Sequence, residues 1–181
     1  MQIVPYRTLL DPFMQRCAER RLQGRTYLMY KRAHGEAYRS ISYGAFDAMV
    51  RKTAAGFEAL GLKRGDRIAV VSESRPEWMV TDFAALALGI IIVPMFPTLT
   101  PKQIAYIVQD SGARLLLVSN DLQLGKAYKL WKECPGLEAI VLYNETTRHQ
   151  HPEGAPRLVS FEQLGADGAA RGALFQRHVR L

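Results

Sequence analysis

The chain has 181 residues, 48% of them hydrophobic and 23% charged, which suits one globular domain and not a disordered or fibrous chain. A chain of this size can bury roughly 70% of its unfolded surface. Cys17 and Cys134 are too few and too far apart in sequence for a disulfide framework or zinc site, and the longest apolar tract, 83–96, is broken by Gly89 and Pro94 short of bilayer length. Residues 1–10 lack a basic leader followed by an apolar block, so a reducing cytoplasm is the expected compartment.

Taken in order, Asp11-Pro12 caps a first helix carrying Phe13, Met14, Cys17 and Ala18 inward, with Gly24 as its end. Residues 26–31 and 38–43 read as a hairpin around Ala33-His34-Gly35-Glu36, Gly35 supplying the positive φ. Ser42 caps the next helix, whose apolar positions Phe46, Met49, Val50, Ala54, Phe57 and Leu60 follow 3–4 spacing.

Residues 65–120 form the organising stretch, reading strand, helix, strand, helix, strand. The strands are expected at 67–72, 90–95 and 114–119. Ser74-Arg75-Pro76-Glu77 has the spacing of a capping box for the first helix, which carries Trp78, Met79, Phe83 and Leu86 and ends at Gly89. Trp78 is read as a core residue rather than a ligand-stacking one. Thr100-Pro101-Lys102-Gln103 repeats the device for the second helix, with Ile104, Ile107, Val108 and Ser111 along one face and Gly112 as the stop. Helices of this length between strands imply parallel pairing and hence a layered α/β sheet.

After Asn120, residues 121–132 read as a helix weakened by Gly125, and 138–143 as a fourth strand. Residues 144–156 are a polar loop, and His149 and His151 in it lack further ligands for a tetrahedral metal site. A short extended segment at 157–160 and a helical turn at 161–164 follow. The expected division is 1–43 for helix plus hairpin, 44–143 for the α/β core, and 144–181 for a loop and tail.

The net charge is +7, with Arg16, Arg20, Arg21, Arg25 and Arg32 at the front and Arg171, Arg177 and Arg180 at the end. No basic run is interleaved with aromatics, so nucleic acid is not an expected partner. A solvated basic surface is the first expectation, and peripheral contact of Tyr6, Arg7 and the front arginines with the inner face of the membrane is the second.

The string GDRIAVVSESRPEW, followed by VPMFPTLTPKQIAYIVQDSGARLLLV, closely resembles the adenylate-forming acyl-CoA synthetases, especially their long-chain fatty-acid branch. Those enzymes read G-D-R-V-A-I-x-S-x-N-R-P-E-W, then V-P-x-Y-P-T-x-T and S-G-A-R before a strand. The resemblance extends loosely over residues 8–165 and includes no catalytic motif. It departs at Ala45, where the family's helix cap carries Glu. It implies an enzyme that joins ATP and a fatty acid into an acyl-adenylate and passes the acyl group to coenzyme A.

The family's phosphate loop ending in Lys, Mg²⁺-binding Glu, ribose-binding Asp and late Lys have no counterpart here, and neither Gly172-Ala-Leu-Phe-Gln-Arg nor any G-x-x-x-x-G-K offers one. The expectation is therefore an N-terminal portion, inactive alone and completed by the rest of the same ligase. ATP, Mg²⁺ and coenzyme A would serve the full-length enzyme, and none would bind this portion strongly. By the same resemblance Phe96, Pro97 and Thr98, which leave a strand where open α/β sheets place ligands, approach the coenzyme A adenine, and Lys126 meets its 3′-phosphate. Two alternatives stand beside this reading: a non-catalytic coenzyme A- or nucleotide-binding module, and an acyl-AMP ligase.

Overall fold

A computed structural model describes residues 8–144 and 148–171; Tyr6, Arg7, Arg177 and Arg180 lie outside them. Helix α1 (Leu10–Ala18) leads into an antiparallel hairpin of β1 (Thr26–Tyr30) and β2 (Arg39–Ser42). There follow α2 (Tyr43–Ala59), β3 (Arg67–Val71), α3 (Pro76–Leu88), β4 (Ile91–Met95), α4 (Pro101–Ser111), β5 (Leu115–Val118), α5 (Asp121–Leu130), β6 (Ala139–Leu142), β7 (Arg157–Ser160) and α6 (Phe161–Arg171). A 3₁₀ turn, Trp131–Glu133, extends α5.

The five later strands form one sheet in the order β4-β3-β5-β6-β7, every neighbouring pair parallel. Each of the four expected strands is present within its expected bounds. Their side chains alternate between two buried layers, as a sheet covered on both faces requires. Ile68, Val70, Leu115, Leu117 and Val141 face α1, α2, α3, α6 and the hairpin. Ala69, Val71, Leu116, Val118, Ile140 and Leu142 face α4 and α5. Pro94 sits on the outermost strand, where a residue with no N–H is tolerated. Phe13 packs edge-on against Phe46 and Phe83, at 5.5 and 4.6 Å between ring centroids, so the N-terminal helix shares the core of the α/β unit.

Local chemistry explains where the elements start and stop. Ser42 Oγ accepts from the Ala45 N–H at the head of α2. At α4, Thr100 and Gln103 form the full reciprocal box, and Gly112 (φ 62°) closes the helix. Gly89 (φ 67°) closes α3 in the same way.

Several expectations are corrected. α1 stops at Ala18 instead of Gly24, because the chain turns at Glu19, and Asp11 lies within the helix with its carboxylate accepting from Thr8 N and Oγ1. Ser74 does not cap α3: extended Arg75 holds the N-cap position, and the Glu77 carboxylate accepts from Arg75 Nε at 2.8 Å. Leu86 is exposed, since α3 buries Val80, Thr81, Ala84 and Ala85. The segment 157–160 is a fifth parallel strand of the sheet. The turn expected at 161–164 opens an eleven-residue helix that lies on α2, and a Cβ at Gly56 would stand 2.7 Å from Leu164 Cγ.

Candidate functional site at the carboxyl edge of the sheet

β3 leads to α3 on one face of the sheet, while its neighbour β5 leads to α5 on the other. The chain therefore parts between the carboxyl ends of β3 and β5, the crevice where open α/β sheets receive ligands. A cleft of about 650 Å³ lies there, lined among others by Tyr30, Arg32, Arg75, Asn120, Asn144 and Phe161.

Arg75 ties the cleft floor together. Its Nη1 donates to Ser119 O at 2.7 Å, its Nη2 to Asn144 Oδ1 at 3.1 Å and its Nε to Glu77, so one guanidinium joins the exits of β3, β5 and β6. It also lies 5.5 Å from the Tyr143 ring centroid. Tyr143 is buried, with its hydroxyl 2.9 Å from Thr81 Oγ1. Burial pushes the phenol well above its usual range, so it remains a neutral hydroxyl. Arg75 stands in the R-P-E-W string of the family resemblance, but its contacts come from strands brought together over 44 and 69 positions of chain.

On the same edge, the turn after β4 gathers all four residues singled out from the sequence. Buried Met95 anchors the strand end, and Phe96 emerges 77% exposed. Leu99 N donates back to Phe96 O at 3.2 Å, closing the turn over Pro97 and Thr98. Lys126 reaches across from α5, donating to Pro97 O at 2.6 Å and Leu99 O at 2.9 Å. Gln123 Nε2 adds a bond to Pro97 O at 3.0 Å. Lys126 thus uses two of its three donors on backbone carbonyls and keeps a third.

Gln123 was not singled out. The signal for it was present, since a glutamine that shares a helix face with Ala127 and Leu130 is a polar side chain placed in an apolar stripe.

The loop histidines lean on α5. His151 Nδ1 lies 3.0 Å from Tyr128 Oη, and His149 Nε2 lies 3.1 Å from Asp121 O. A Cβ at Gly125 would come 2.9 Å from His149 Nε2, so this glycine makes room for the ring. Trp78 is half-buried against the main core. Among the described residues, no group of three or more His, Cys, Asp or Glu gathers to hold a metal, and no helix is long and apolar enough to cross a membrane.

A doubly wound parallel sheet with a crevice at its switch point defines an α/β protein of the ligand-binding class. The chain belongs to the AMP-binding enzyme family, which matches residues 14–166. It is 35% identical over 124 residues to the long-chain-fatty-acid–CoA ligase ACSBG1 of Bos taurus, covering 68% of this chain and 16% of that one. It is 30% identical over 115 residues to the long-chain-fatty-acid–CoA ligase FadD15 of Mycobacterium tuberculosis, covering 64% and 19%. The chain thus spans under a fifth of the length of these relatives. The fold resembles the anthranilate CoA ligase AuaEII solved with anthranoyl-AMP (TM-score 0.73, 21% identity, 92% of this chain and 30% of that one). It also resembles a putative long-chain-fatty-acid CoA ligase from Rhodopseudomonas palustris (TM-score 0.68, 19% identity, 87% and 36%).

Proposed function

We propose that this chain is the N-terminal portion of an AMP-forming long-chain fatty-acid–CoA ligase and that it supplies part of the coenzyme A mouth. The observation that carries the reading is the gathering of Phe96, Pro97, Thr98 and Lys126 at the carboxyl edge of a family sheet whose relatives are named as long-chain-fatty-acid–CoA ligases. The reaction of the whole ligase would consume ATP and a fatty acid, then coenzyme A, and release AMP and pyrophosphate. ATP and Mg²⁺ find no phosphate loop among the residues of this chain, so none of its side chains is assigned to them.

For the adenine end of coenzyme A the residues fit. Phe96 presents a flat apolar face on a turn that Pro97 stiffens and that Lys126 and Gln123 lock through its carbonyls. Such prior ordering lowers the entropic cost of receiving a planar ring. The third Lys126 donor offers a point charge to the 3′-phosphate. In this reading the chain's own residues bind and orient, and bond making belongs to the rest of the enzyme.

In the full-length ligase, Phe96→Ala should raise the apparent KM for coenzyme A by roughly 5- to 100-fold, from a stacking contact worth about 1–3 kcal/mol. ATP–pyrophosphate exchange with fatty acid should stay near wild type, because adenylation precedes thiol binding. Equal losses in both half-reactions would make Phe96 a packing residue and sink the assignment. Residues 1–181 alone should show no exchange with any fatty acid.

A further inference from the structure

We propose that the outer face of the β1–β2 hairpin docks on anionic lipid headgroups. The inference does not rest on the ligase reading; it starts from how the hairpin is built. An irregularity between Thr26 and Leu28 lets Tyr27 and Leu28 both turn toward the core, with Ile41 and Tyr43. Beyond it the pairs Met29–Ser40 and Tyr30–Arg39 run in register. Period-two alternation then puts Met29 and Lys31 of one arm, and Tyr38 and Ser40 of the other, on the outward face. Met29 is 59% exposed and Tyr38 63%, and the Lys31 ammonium stands 4.5 Å from the Tyr38 ring centroid. Two apolar side chains and a cation therefore share one small open surface, while Arg32, next along the chain, borders the carboxyl-edge cleft that Lys31 also reaches.

Charge supplies the partner. The one acidic residue of the hairpin, Glu36, pairs with Arg39 at 3.7 Å. Among the described residues, Lys31 and Arg32 have no carboxylate within ion-pair distance. Residues 1–43 carry eight Lys and Arg against three Asp and Glu, while the other 138 residues are nearly balanced at 16 against 14. The excess of positive charge thus lies in the segment of chain that carries the hairpin. A surface with unpaired cations flanking a methionine and a tyrosine suits the headgroup zone of an anionic bilayer, where basic groups meet phosphate and the apolar tips enter the acyl boundary. A nucleic-acid backbone would satisfy the cations and leave Met29 in water.

The test is co-sedimentation of residues 1–181 with phosphatidylcholine vesicles containing or lacking phosphatidylserine. Binding is expected only with phosphatidylserine and should weaken as salt rises. Lys31→Gln with Arg32→Gln should lower the partition coefficient about 5-fold per side chain, roughly 25-fold for the pair. Met29→Ser with Tyr38→Ser should lower it while leaving the salt dependence in place. Lys102→Gln with Lys132→Gln, on the α4–α5 layer, should change it less than 2-fold if the effect is local. Melting curves of each variant confirm that the fold is kept, since all these residues are exposed. Equal binding to pure phosphatidylcholine, an equal loss in the Lys102/Lys132 variant, or tighter binding to duplex DNA than to the vesicles would each overturn the proposal.

Discussion

Gly168 on α6 lies against α2 so closely that a methyl group there has nowhere to go. A Cβ would clash with the Lys52 carbonyl and stand 2.6 Å from Gly56 N and 3.1 Å from the Ala55 carbonyl carbon. All three are backbone atoms, so no rotamer change relieves the contact. To restore ordinary separations, Gly168→Ala must open the α2–α6 crossing by roughly 1 Å. Overpacking of this kind costs about 1–3 kcal/mol. Opening also loosens Leu164, 1% exposed beneath the crossing, whose full burial is worth about 1.5–3 kcal/mol. Against this stands a helix-propensity gain of about 1 kcal/mol for Gly to Ala. The net expectation is a loss of about 2–4 kcal/mol, or roughly 4–16 °C in Tm for a chain of this size. Urea titration followed by circular dichroism measures it. Gly56→Ala acts on the same crossing, with its Cβ 2.7 and 2.8 Å from Leu164 Cγ and Cδ1, so the double variant should lose less than the sum of the singles. A Gly168→Ala protein with unchanged or raised Tm would refute the reasoning.

Gly125→Ala should be close to neutral by the same melting measurement, because the clash there is with the movable His149 ring, and the propensity gain of about 1 kcal/mol offsets it. Arg75→Ala should cost about 2–3 kcal/mol, since it frees Glu77, the Ser119 carbonyl and the Asn144 amide together; Arg75→Lys should recover only part, a single ammonium being unable to span the three sites. The Lys63 N–H first, and then Arg114, hold the Asp66 carboxyl below its usual range, so its folded pKa lies under its unfolded one. Its stabilisation is present above pH about 4 and lost as pH falls through the folded value. Asp66→Asn should therefore melt lower than wild type at pH 7, with the gap closing in acid, and a gap independent of pH would contradict this. Asp82, pushed up by burial, has the opposite sign: Asp82→Asn should melt higher at pH 7 and lose that gain in acid.

What the sequence by itself determined is the alternation of the core. Apolar runs bounded by Gly89, Gly112 and the Thr100–Gln103 box specify strand and helix locally, because caps and positive-φ glycines act within a few residues. Parallel pairing followed, since helical connections permit little else. The Phe96–Thr98 turn and Lys126 were expected as a site through resemblance to a family; the structure sets Lys126 on the Pro97 and Leu99 carbonyls, and a role toward coenzyme A is the proposal made above. Tertiary structure alone decided the rest. Ser74 has the letters of a cap, yet Pro76 at the first helical position keeps Arg75 extended as the N-cap; what tertiary structure adds is the reach of that guanidinium to Ser119 and Asn144, distant in sequence. The segment 157–160 reads as an unattached extension until β6 offers it an edge. Gly56 and Gly168 look like weak points in two helices. Only the crossing of those helices shows that the absent side chains are what let the backbones touch. Contacts between segments far apart in sequence leave no periodic trace in either one, and so they are visible only once the chain has folded.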